Sequence, residues 1–227
     1  MGVIKAVLFD LNGTLAFLDD GITAEHVSDY LFSRGYEVSS QQYGAAWSFV
    51  SFIDYPKHGY GGWRSYLLRV FQRLHVRVDG ETLNELIRLY RSRPFQLCPD
   101  AAEAVLKAKE NGFKTAIVTS IAYFRFRDAI RPIRKRLNLV MTGREAGCDK
   151  SNPNMYRKVL ELLKVKPQEA IMIGDELLLD VQLPKQLGID AILLDREDKK
   201  DGQLVDAFVY SLDQAMETII RRNLESS

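Results

Sequence analysis

Two hydrophobic patterns alternate along this chain. Residues 4–9, 115–118, 139–141, 170–173 and 191–194 form short, mainly apolar runs, interrupted only by Lys5 and Thr115, and 207–210 is a weaker sixth. Continuous rather than alternating apolar runs of this length suit parallel strands buried on both faces. Between the later runs, residues 99–111, 154–163 and 181–187 show the spacing of amphipathic helices, with Pro99 and Asp100 near the start of the first and Gly112 at its end. Strands alternating with helices predict an α/β fold: a doubly wound, Rossmann-like parallel sheet.

The first two runs stand about 100 residues apart, whereas a crossover needs only a dozen or so. The interval is itself helical in pattern: Val27, Tyr30 and Leu31, then Leu67, Leu68, Phe71 and Leu74, then Leu83, Leu86, Ile87 and Tyr90. The expected organisation is a core from residues 1–15 and 96–227, with an inserted α-helical cap over 16–95. Residues 55–63, which hold Pro56 and three glycines, read as a loop inside the cap. The cap aromatics, Tyr43, Trp47, Phe49, Phe52, Tyr55, Tyr60, Trp63 and Tyr66, read mainly as its core, with some of 55–63 available to line a substrate mouth beside Lys57, His58 and Arg64.

Composition removes several classes. The 227 residues include 31 basic and 30 acidic side chains, a formal charge of +1, so no single-sign field points to nucleic acid or a membrane surface. A hydrophobic fraction of 46% suffices for a large core. Cys98 and Cys148 form no CxxC pair, and the three histidines are scattered, which argues against zinc or a disulfide framework. No apolar stretch reaches a membrane span, and the N-terminus lacks a signal-peptide pattern; the expected location is cytoplasmic. Arg and Lys cluster from Arg125 to Arg136, which reads as a solvated helix face; Arg125 and Arg127 follow Thr119 closely enough to reach the end of its strand, with a surface role favoured for both.

Three of the apolar runs stop at a polar residue: Asp10, Thr119, and Asp175 after Gly174. Ligands of open parallel sheets bind outside the carboxyl ends of the strands, so these side chains are expected to meet in one crevice. A carboxylate there can attack a phosphoryl group, provided that a cation offsets the meeting of two anions. Asp10, Asp175 and Asp180 offer the oxygen ligands Mg²⁺ prefers. Lys150 adds positive charge, Thr119 and Ser120 add hydroxyls for substrate, and Gly13 leaves room for close backbone approach.

Four segments together resemble the motifs of haloacid-dehalogenase-like hydrolases. Asp10–Leu15 (DLNGTL) is similar to the first, normally DxDGT; Ala116–Ser120 (AIVTS) to the second; Lys150 in DKSNP to the third; and Ile173–Asp180 (IGDELLLD) to the fourth. The resemblance implies a nucleophile at Asp10, metal ligands at Asp10, the Asn12 carbonyl, Asp175 and Asp180, and a phosphoryl grip from Thr119 and Lys150. It also implies Mg²⁺ as cofactor and a small phosphorylated molecule as substrate. The departure is Asn12, where the family has its acid/base aspartate. General acid–base catalysis contributes roughly 10²–10⁴ in rate. Three readings stay open: a phosphatase slowed by Asn12 or acting on good leaving groups, a 2-haloacid dehalogenase, whose leaving halide needs no proton, and a non-catalytic phospho-ligand binder. Retention of both Asp175 and Asp180 favours the first.

Overall fold

The computed structural model describes residues 3–18, 21–196 and 207–225; the remaining positions of the expected core and cap ranges lie outside it. The strands are β1 (Ala6–Phe9), β2 (Ala16–Phe17), β3 (Gln96–Leu97), β4 (Lys114–Val118), β5 (Leu139–Met141), β6 (Ala170–Gly174), β7 (Asp190–Leu194) and β8 (Phe208–Val209). Six of them form one sheet in the order β5-β4-β1-β6-β7-β8, and every pairing in it is parallel. This is the doubly wound α/β sheet that the apolar runs predict.

All four residues of β1 are buried, because the strand is central and helices cover both faces. Val7 and Phe9 face a cluster containing Ala104 and Val105 of helix Ala101–Glu110 and Met216 and Ile219 of helix Leu212–Glu225. Ala6 and Leu8 face the opposite cluster, with Met155, Tyr156 and Val159 of helix Pro153–Leu163. The period-two split is the pleat distributing one continuous apolar run between two layers.

Residues 24–92 are helical. Val27, Leu31, Tyr43, Tyr66, Leu67, Phe71, Leu83 and Leu86 share a third hydrophobic cluster. Thr23, Ser39 and Asp79 cap three of the helices, each accepting a backbone N–H three residues on. The expected loop over 55–63 is shorter than its composition suggests. Tyr55–His58 continues a π-helical turn, Val50–Asp54, as a short helix, and the next helix starts at Trp63. Pro56, which has no N–H to donate, comes just after this π-helical turn within the continuous helical run 40–58. Phe52 is 47% exposed, unlike the core role expected of it.

The segments joining helices 24–92 to the sheet pair with each other. Ala16 opposes Leu97 and Phe17 opposes Gln96 in an antiparallel ladder, extended by the Cys98 N–H donating to the Leu15 carbonyl at 2.9 Å. The apolar pattern gave no sign of this two-stranded element. Residues 181–187 also differ from the predicted helix: a π-helical segment, Leu177–Gln182, precedes a four-residue helix.

Candidate active site

Three neighbouring strands deliver their polar ends to one edge. β1 lies between β4 and β6, with Phe9 opposite Ile117 on one side and Ile173 on the other. Asp10 follows Phe9 directly, while Thr119 and Asp175 stand one residue further along, after Val118 and Gly174, so the shared register brings all three to the same edge of the sheet. The Asp10 N–H donates to Ile173 O at 2.9 Å and the Thr119 N–H to Met141 O at 3.0 Å, which fixes both backbones. Asp10 and Thr119 are buried.

Lys150 arrives from the connection after β5. Its backbone N–H donates to the Ser120 hydroxyl at 2.8 Å, tying the lysine loop to the end of β4. Its ammonium forms a hydrogen-bonded ion pair with Asp10 Oδ1 and lies 2.5 Å from Asp180 Oδ1. Asp180 is fully buried, where an unpaired carboxylate would be expensive. The π-helical segment turns it inward, and its Oδ2 accepts the Glu176 N–H at 3.0 Å. Gly174 permits this, because a Cβ there would collide with the Asp180 carboxylate.

Carboxylate oxygens of Asp10, Asp175 and Asp180 come within 4.8 Å of one another. Burial pushes the Asp10 carboxyl up to about 7; Lys150 opposes that rise, and Asp180 and Asp175 add to it. Lys150 stays protonated, since Asp10 and Asp180 together outweigh its burial. Three carboxylates around one ammonium leave excess negative charge, and the oxygen-only donor set suits a hard divalent cation. Gly13 has a φ of +79° and its missing Cβ would sit 2.6 Å from Asp175 Oδ2, so a glycine is required twice over. Asn12 is exposed on the same turn.

Two arginines matter here that the sequence reading left aside or placed elsewhere. Arg196, just beyond β7, donates to the Gly13 and Thr14 carbonyls at 3.3 and 2.8 Å and holds Asp100 with two hydrogen bonds of 2.8 and 3.0 Å. It braces the turn that follows Asp10. The strand-end rule that singles out Asp10 applies equally to the end of β7 and could have found it. Arg125 is not on the surface as expected: it is partly buried, with its guanidinium against Trp47 and Trp63. Arg127 is exposed and paired with Asp128, as a surface residue should be. His58 is largely solvated, 3.7 Å from Asp54.

A parallel α/β sheet with carboxylates and a lysine gathered at its carboxyl edge, and a helical segment between its first two strands, defines a class of hydrolase. The chain belongs to that class by family: residues 4–188 match the haloacid dehalogenase-like hydrolase model. It is 26% identical over 254 residues to a glyceraldehyde 3-phosphate phosphatase of Pyrococcus furiosus, an alignment covering 97% of this chain and 95% of the relative. A second phosphatase of that name, from Methanopyrus kandleri, is 26% identical over 220 residues, covering 88% and 87%. Among solved structures, a HAD phosphatase from Thermococcus onnurineus superposes with a TM-score of 0.65 at 22% identity, covering 95% of this chain and 98% of that one. A 2-haloacid dehalogenase from Pseudomonas syringae gives 0.69 at 20% identity, covering 96% and 99%. These two likenesses establish a shared fold.

Proposed function

We propose that the chain is a Mg²⁺-dependent phosphatase of small phosphorylated molecules, with Asp10 as the nucleophile. The observation that carries this is the Asp10–Asp175–Asp180 cluster joined to Lys150. Full-length relatives named as phosphatases agree with it. A haloacid dehalogenation would have no use for two further carboxylates at a metal position, and a passive phosphate receptor would not place a carboxylate against its anion.

In this reading an Asp10 carboxylate oxygen attacks phosphorus as the bond to the leaving oxygen breaks. Water then cleaves the resulting acyl phosphate, releasing phosphate and regenerating Asp10. Bound Mg²⁺, held by Asp10, Asp175, Asp180 and the Asn12 carbonyl, would neutralise charge on the phosphoryl oxygens. The Lys150 ammonium holds a phosphoryl oxygen. Thr119 supports it with its hydroxyl proton, since Oγ1 already accepts the Ile121 N–H at 3.2 Å. Ser120 positions Lys150 through the loop hydrogen bond. Asn12 offers no proton, so departing alkoxides leave slowly and phenolates less so. Helices 24–92 act as the cap that covers the site, and the paired strands β2 and β3 are its stem.

Hydrolysis of p-nitrophenyl phosphate tests this directly. Turnover is expected with Mg²⁺, lost with EDTA and regained on adding the metal back; Asp10→Asn is expected to fall to background while keeping the native circular dichroism. Turnover that survives in Asp10→Asn would remove the nucleophile assignment. Metal-independent release of halide from a 2-haloacid would favour the dehalogenase instead.

A further inference from the structure

Arg125 carries a charge into aromatic surroundings, with the Trp47, Trp63 and Phe95 rings within cation–π range. It lies on the short helix Tyr123–Phe126, a few residues after Thr119, and projects among the aromatic rings of helices 24–92. Its guanidinium carbon is 5.2 Å from the Trp47 ring centroid and 5.5 Å from that of Trp63. Nε is shielded from solvent with no hydrogen-bond acceptor, and no carboxylate among the described residues pairs with the side chain. Burial lowers its pKa, and only the hydroxyls of Tyr66, Tyr90 and Tyr43 push the other way. A buried N–H without an acceptor costs free energy unless something else supplies one.

Arg125 borders two cavities. One, of about 70 Å³, extends to Ser120, the neighbour of Thr119. The other, of about 620 Å³, lies between helices 24–92, residues 93–95 leading into β3, and residues 124–129, a size suited to a small organic ligand. Trp47 and Arg125 line both. The larger cavity adds Arg91 and Arg127 to its wall, with Arg127 held to Asp128 at 3.2 Å. The combination is cationic and aromatic at once.

Building on the phosphatase reading, we propose that Arg125 selects the substrate: it receives a second anionic group, a carboxylate or a second phosphate, on the leaving-group side of the ester. The phosphoryl group lies at Asp10 and Thr119. The body of the leaving group passes Ser120 and rests on the Trp47 and Trp63 rings, where flat or apolar carbon is favoured. Its anionic end meets the Arg125 fork, whose fixed donors match carboxylate or phosphate oxygens.

The chain has two tryptophans, and both flank Arg125, so intrinsic fluorescence reports on this cavity without any turnover. Benzoate is expected to change the emission saturably, and its neutral isostere benzamide to bind at least about tenfold more weakly. Arg125→Met is expected to abolish that preference and Arg125→Lys to keep part of it. In kinetics with Mg²⁺, 4-carboxyphenyl phosphate should exceed 4-carbamoylphenyl phosphate in kcat/KM by a similar factor, mainly through KM. Benzene-1,4-diyl bisphosphate tells whether phosphate serves as well as carboxylate. Equal binding of benzoate and benzamide, or a preference that survives in Arg125→Met, overturns the proposal. If Arg125→Met does not fold, the wild-type pairs decide alone. Absence of all phosphoester hydrolysis would count against the phosphatase reading, while the fluorescence pair still decides the anion site.

Discussion

At the scale of single residues, the proposed chemistry turns on a buried carboxylate held beside an ammonium. Lys150 touches both Asp10 and Asp180, so it neutralises part of a cluster that would otherwise repel an anionic substrate. Asn12 is the position where substitution is most informative. Asn12→Asp is nearly isosteric, and the exposed turn can accommodate it. If this position governs proton transfer, the variant should hydrolyse alkyl phosphates faster by up to roughly 10²–10⁴, with a smaller gain for p-nitrophenyl phosphate, whose leaving group needs no proton. Steady-state rates on the two ester types check this; equal rates for variant and wild type on both would end the proton-transfer account.

At the scale of elements, the turn after β1 depends on a residue 183 positions beyond Gly13. Arg196 ties the Gly13 and Thr14 carbonyls to Asp100, and Asp100 also accepts the Leu212 N–H that starts the last helix at 3.0 Å. Burial raises the Asp100 carboxyl, but the bonds from Arg196 and Leu212 outweigh it and hold it below the ordinary carboxylate range. A lowered folded pKa means stability that is present above the unfolded value near 4 and lost as pH falls through the folded one. Arg196→Ala should therefore cost about 1–3 kcal/mol at pH 7 and weaken the loss of stability on acidification. Urea unfolding at pH 7 and pH 3 measures both effects. A variant with unchanged midpoints would show that the brace contributes nothing.

At the scale of the whole molecule, polar contacts tie helices 24–92 to residues beyond the carboxyl ends of the strands. The Tyr55 hydroxyl accepts the Tyr123 N–H at 3.2 Å and lies 3.4 Å from Thr142 Oγ1, and Arg144 donates to the Lys57 carbonyl at 2.6 Å. If these helices work as a cap, opening has to break such contacts while the β2–β3 ladder persists. Tyr55→Phe removes one of them. Faster hydrogen exchange at the Tyr123 amide is expected, with exchange at the Ala16 and Cys98 amides unchanged. Equal protection of Tyr123 in both proteins would mean that the hydroxyl does not help hold the helices down.

The parallel strands and the convergence of Asp10, Thr119 and Asp175 were legible in the sequence because both are local. A fully buried strand must be apolar throughout its length, and the residue that ends it must tolerate the polar edge. The order of the four motifs supplied Lys150 and Asp180. The tertiary structure decided what depends on distant partners. A two-residue ladder such as β2–β3 has too few positions for any period to show. The brace by Arg196 joins residues 13, 14, 100 and 196, which lie far apart in the sequence. Arg125 stands close enough after Thr119 to reach the crevice, but a surface role is the reading its basic stretch favours until helices from elsewhere enclose it with Trp47 and Trp63, because the burial of a charge is set by what folds around it and not by its neighbours in sequence.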